Sequence, residues 1–141
     1  MINDDLKLKG KLAIALNGKT VQEVDNLVVT DGKEYVASRM KDATATAMSH
    51  MAIGSGTTAA AASQAALVSE LGRVSLTSTN VSGAVVTYVA TFAAGTGTGA
   101  VTEAAILNAS SSGDMLCRTV FSVVNKGSAD SMTITWTVTV S

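Results

Sequence analysis

Apolar residues recur at every second position in several stretches of this chain. In residues 6–16, Leu6, Leu8, Leu12, Ile14 and Leu16 alternate with Lys7, Lys9 and Lys11. That period predicts a strand with one buried face and one lysine-bearing face. Asn17-Gly18 follows, a pair that tolerates positive φ and favours a two-residue hairpin turn. Residues 20–29 then read as the returning strand. Asp31 with Glu34 three residues on resembles a capping box, so a short helix is expected from Gly32 to about Lys41. Tyr35, Val36 and Met40 would be its apolar positions.

Further strands are expected over residues 48–53, 73–79, 84–92, 101–108 and 115–125. The breaks between them are rich in Gly, Ser, Asn and Asp, as turn chemistry requires. Residues 59–71 are alanine-rich and are expected to hold a helical turn or two, anchored by Leu67, Val68 and Leu71. The last stretch alternates most clearly: Met132, Ile134, Trp136, Val138 and Val140 are separated by Thr133, Thr135, Thr137 and Thr139. One face would enter a core, and the other would be a threonine ladder suited to pairing or solvent. About eight short strands with regular turn signals predict a mainly β fold, an antiparallel sandwich or jelly-roll-like arrangement with one or two short helices. In domain terms, residues 1–30 are expected to form an N-terminal β-hairpin arm and residues 31–141 a β-sandwich domain.

Composition narrows the function classes. The 141 residues suit one domain, and hydrophobic residues make up 47% against 15% charged, with a net charge of −1. Mean hydropathy is +0.34. Disorder would show the reverse balance. Low charge with positive hydropathy implies that some surface is buried against other copies or a partner. Nothing in the charge favours nucleic acid or an anionic membrane, and no apolar run is long enough to span a bilayer. The acidic start, with Asp4 and Asp5, is unlike a signal peptide, so synthesis and assembly in a cytoplasm are expected. One cysteine and one histidine exclude an internal disulfide framework and a multi-histidine metal site.

Candidate chemistry is sparse. The glycine loops at Gly54–Gly56 and at Gly95, Gly97 and Gly99 lack the lysine of a P-loop and the spacing of a dinucleotide fingerprint. They read instead as loops allowing close backbone approach, to a neighbouring subunit for instance. His50 and Cys117 lie on expected strands, without a nucleophile elbow. The acids form no calcium loop. Arg73 and Arg118 stand in charge-poor surroundings and call for carboxylate partners, with Glu70 and Glu103 as candidates within a subunit or across an interface. No catalytic, cofactor-binding or metal residue is expected. The candidate interface residues are Gly54, Gly56, Gly95, Gly97, Gly99, Arg73, Arg118 and Glu103. Near a trimer axis these glycines would be the points where side chains clash, so a bulky residue at Gly97 is expected to impair assembly and leave the subunit folded.

Several segments in order, DNLVVTDGKEYVASRM, AMSHMAIGSGTTAAAA, ALVSELGRVSLTS, VTYVATFAAGTGTGAVTEAAILNA and MLCRTVF with a terminal SMTITWTVTVS, resemble a family of small tailed-bacteriophage virion proteins. Their plan is also similar to the N-terminal domain of phage tail-collar fibre proteins. The resemblance implies a structural protein of the virion, assembled in the host cytoplasm and without enzymatic activity or cofactor. No shaft or receptor-binding tip follows the last strand, which favours a head decoration (cement) protein bound to the major capsid protein over a tail, neck or fibre-adaptor protein. A homo-oligomer is expected, a trimer for preference. Two other classes make distinct demands. A glycan-binding module would need Trp136 exposed, although its alternation puts it on the core face. A small enzyme would need Cys117 within reach of His50.

Overall fold

The computed structural model describes residues 6–41 and 45–141. The acidic start lies outside the described residues. The elements are β1 (Leu8–Leu16), β2 (Lys19–Val28), α1 (Thr30–Lys41), β3 (His50–Gly54), β4 (Glu70–Ser75), β5 (Ser78–Ser82), β6 (Val85–Phe92), β7 (Gly99–Leu107), β8 (Met115–Lys126) and β9 (Met132–Val140). The fold is mainly β, 55% strand and 9% helix, with nine antiparallel strands in a curled, sandwich-like sheet.

The strand order is β4-β3-β7-β8-β2-β1-β9-β6-β5. Two strands connect the layers. β2 pairs with β1 along most of its length and, at Leu27 and Val28, with β8. On the other side, the chain runs from β4, paired with β3, directly into β5, paired with β6. At that junction the Leu76 amide donates to Ser49 and the Thr77 amide to Val89. Strands that pass between layers in this way make the corners of a sandwich-like structure. The result is one layer of β2-β1-β9-β6-β5 and one of β8-β7-β3-β4.

The alternation seen in the sequence decides which side chains fill the space between layers. Leu12, Ile14, Ile134 and Trp136 are fully buried, and Trp136 stands in register with Leu12 on one side and Tyr88 on the other. Met51, Ile53, Ala104, Ile106 and Cys117 enter the same core from the opposite layer. The expected hairpin turn is present, with positive φ at Asn17 (51°) and Gly18 (82°).

Three expectations are corrected. The hairpin is no separate arm. β1 lies between β2 and β9 in mid-sheet and supplies Leu12 and Ile14 to the common core, so residues 1–30 and 31–141 do not divide into two packed units. Asp31 is no cap: α1 begins at Thr30, and the Asp31 carboxylate accepts the Met115 amide at 2.6 Å, docking the helix on β8. Gly32 permits that approach, because a β-carbon there would collide with the Leu116 backbone. Lastly, residues 59–69 form no helix, and Leu71 begins no helical face but lies in β4. One helix is present among the described residues.

Candidate functional site

The outer face of the β3-β7-β8 layer carries a dense polar cluster. Glu103 on β7 and Arg118 on β8 are both fully buried, and the Arg118 Nη2 donates to Glu103 Oε1 at 2.8 Å while Nε donates to the same oxygen at 3.0 Å. The other donors to Glu103 are backbone amides: Gly56 at 2.8 Å, Val68 at 2.9 Å and Ser69 at 2.8 Å. Arg118 also donates to the Thr58 carbonyl at 3.0 Å and to Gln64 Oε1 at 2.9 Å. Gln64 in turn accepts from the Ala61 amide and donates to the Ala59 carbonyl. Burial by itself pushes the Glu103 carboxyl up. The Val68 and Ser69 amides, the Arg118 guanidinium and the Gly56 amide outweigh it, and the carboxyl is held below its ordinary value.

This cluster binds the alanine-rich segment down as a cover. Beneath the cover, Val29, Ala52, Ala105, Leu107 and Met115 form a second small core, with Leu67 packed against it. Alanines lack the bulk to bury themselves as a helix face, so the segment is held by hydrogen bonds to two charged side chains instead.

The candidate interface residues are therefore redistributed. Glu103 and Arg118 find each other inside one chain, and neither reaches the surface. Arg73 pairs with Glu70 at 2.8 Å and donates to the Ala109 and Ser112 carbonyls, fastening the 109–112 turn. Gly54 and Gly56 lie against Glu103 itself, where any side chain would displace the carboxylate. Gly97 has φ +68°, and a β-carbon there would stand 2.5 Å from Ile53 Cδ1. A bulky residue at Gly97 thus disturbs the fold of the subunit, contrary to the expectation that only assembly would suffer. Gly99 faces Leu71, and Gly95 alone of these glycines is exposed with nothing near it.

The two groups suggested for nucleophilic chemistry are kept apart. His50 pairs in register with Leu107 and Cys117 with Ile106, neighbouring residues of β7 that face opposite sides of the layer. His50 bonds to Ser49 Oγ (2.7 Å) and Ser75 Oγ (3.4 Å). Burial pushes the Cys117 thiol well up, against a weaker lowering by a backbone hydrogen bond from Ile106. Trp136 is 0% exposed and presents no platform for a sugar. Among the described residues no cluster of His, Cys, Asp or Glu could hold a metal ion, and no helix is long and apolar enough to cross a membrane.

One charged residue escaped the sequence reading. Lys126 is buried, with its Nζ donating to the Ala93 and Asp130 carbonyls at 3.0 and 2.7 Å. The signal was its register: it stands two residues beyond the buried Val124 on β8.

The opposite outer face is bare. On β9, Thr133, Thr135, Thr137 and Thr139 point away from the core, flanked in register by Ala15, Ala13, Lys11 and Lys9 on β1 and by Thr91, Val89, Thr87 and Val85 on β6. No residue of β9, β6 or β5 is charged, and charge enters only along β1 and β2, where Lys11 meets Glu23 at 3.6 Å. Most side chains on the face are small; the Thr91 and Thr133 hydroxyls bond to each other at 3.0 Å.

Comparison of the chain with protein-family models, curated proteins and solved structures yields no match.

Proposed function

We propose that this chain is a non-enzymatic structural protein of a bacteriophage virion, a decoration (cement) protein that binds the outside of the head and stabilises it. The sequence resemblance supplies the class. The observation that carries the reading is the outer face of β9, β6 and β5 with the Ala13–Ala15 end of β1, an array of threonine, valine, serine, asparagine and alanine bounded on β1 by Lys9 and Lys11, which no part of the described chain covers. Three strands of eight or nine residues and one of five, spaced about 4.8 Å apart, make a patch of roughly 500 Å². A stable pairwise interface needs about 800 Å² from each partner. Each copy would therefore bind weakly, and a shell bearing many copies, joined as homo-oligomers, would hold through avidity. Internal pressure must break all of these contacts before the shell opens.

The test is electron microscopy of particles with and without the protein, alongside a Thr135→Arg variant. The array's centre leaves no room for a guanidinium against a partner, whereas an exposed substitution alters subunit stability by no more than about 0.5 kcal/mol. Density lost from the head surface, with shells that rupture more readily and a folded variant that no longer decorates them, is the expected result. Density lost from the tail or neck instead would assign the protein to the fibre-adaptor class.

A further inference from the structure

Helix α1 closes one end of the sandwich incompletely. Between it and the ends of β1, β9 and β6 runs an open groove of about 790 Å³, continuous with a smaller recess of about 300 Å³ through the shared Leu8, Val36, Met40 and Val140. The floor is apolar. Leu6 and Met40 at its margins are 71% and 77% exposed, the two most exposed large hydrophobic side chains among the described residues. Among the described residues, the charged side chains that line the two spaces are basic: Lys7, Lys9, Lys33 and Arg39. Arg39 is partly engaged, donating to the Ala45 carbonyl at 3.0 Å. A third hollow adjoins the groove through Leu8, Lys9 and Lys33 and brings in one carboxylate, Asp25, which stands in register with Lys11.

We infer that this groove docks an acidic amphipathic helix from a partner protein. Three observations select that occupant. The positive groups border the two connected spaces from two elements: Lys33 and Arg39 are six residues apart on α1, about 9 Å along its axis, and Lys9 borders the groove from β1. Charges separated over two elements match a segment with several carboxylates better than a single headgroup. The chain's net charge is −1, so this concentration of basic groups is local and not a general property of the surface. Finally, the groove has no free strand edge, because β1 is paired on both sides by β2 and β9, and β9 by β1 and β6. An occupant must satisfy its own backbone hydrogen bonds, as a helix does, and insert apolar side chains at i, i+3, i+4 and i+7. This inference is independent of the virion reading.

The probe is a fluorescent synthetic helix with leucine at those positions and glutamate between them, compared with its lysine counterpart by anisotropy against the full chain. Binding of the glutamate helix only, weakened by salt, is expected. Lys9→Glu with Lys33→Glu should weaken it roughly tenfold and favour the lysine helix instead. Met40→Ser, at an exposed position, should weaken it without changing the urea midpoint. Equal binding of both helices, no binding of either, or indifference to the charge reversal would overturn the proposal. Capture by anionic phospholipid vesicles without peptide binding would overturn it in favour of a lipid surface, and a dimer dissolved by Met40→Ser in favour of a second copy.

Discussion

Arg118→Met tests whether the buried ion pair holds the cover on its sheet. Methionine keeps much of the side-chain volume and removes the guanidinium. Glu103 is then left fully buried, accepting three backbone amides with no cation beside it, and the Thr58 carbonyl and Gln64 side chain each lose a donor. Removing one partner of a buried pair costs about 3–5 kcal/mol. Against a total stability of about 5–15 kcal/mol, that is a large fraction. With a urea slope of about 2 kcal/mol/M for a domain of this size, the midpoint should fall by about 1.5–2.5 M. Trp136 is the only tryptophan and lies in the opposite layer, so its fluorescence reports the global transition and not a local change at the site. Hydrogen exchange at the Gly56, Val68 and Ser69 amides should accelerate more than the global change requires, because the cover opens first.

The double variant Glu103→Leu with Arg118→Met sharpens the reasoning. Replacing both members of a buried pair by apolar residues is often neutral. Here it strands three amide donors, each costing about 1–3 kcal/mol if left unpaired. The double variant should therefore remain several kcal/mol below the wild type. A midpoint for Arg118→Met equivalent to less than about 0.5 kcal/mol of destabilisation, the level of an ordinary surface change, would refute the assignment.

Two further outcomes follow from the same geometry. Glu103 is held below its ordinary value, so the fold stabilises the ionised form; that contribution is complete above the usual carboxylate range near 4.5 and fades as pH falls through the lower folded value. Asp130, lowered by hydrogen bonds from Asn17 and the Gly127 amide, acts in the same direction. Urea midpoints should fall between about pH 6 and about pH 3, less steeply in Glu103→Gln, and equal slopes in the two proteins would remove Glu103 as a cause. Gly97→Ala should cost roughly 1–3 kcal/mol, from positive φ together with collision against Ile53. Gly95→Ala, with φ +87° but open space, should cost only the backbone share, about 1 kcal/mol; equal losses in thermal melts would show that the Ile53 contact is immaterial.

The strands were legible because a period of two is a direct record of which face is buried. Met132 to Val140 shows this best: every even residue up to Val138 is buried and every threonine half-buried. The Asn17-Gly18 turn was legible for a local reason, the backbone conformation it demands. The cover over residues 55–69 was not, because nothing in its own alanines and serines determines its path. That path is set by Glu103 and Arg118, between 34 and 60 residues away in sequence. Their pairing partners could be anticipated from charge scarcity, but not their location inside the chain. Asp31 misled for a related reason. A capping box is a local pattern, and a tertiary partner, the Met115 amide, claimed the carboxylate instead.

The two outer faces of the sandwich are finished differently, and this separates stability from contact. The β3-β7-β8 face carries a cover of its own chain, and the charged groups buried there are consumed in holding it. The β1-β9-β6-β5 face has neither cover nor charge over most of its area, so it can meet another surface without stripping water from ions, the step that makes polar association costly. Perturbing the first face should unfold the subunit; perturbing the second should leave a folded subunit that no longer associates. The glycines show the same division. Gly54, Gly56 and Gly97 are small because of what lies beneath them in the same chain. Only Gly95 is free of such a constraint, so of these loop positions it is the one where a substitution can report on an external contact.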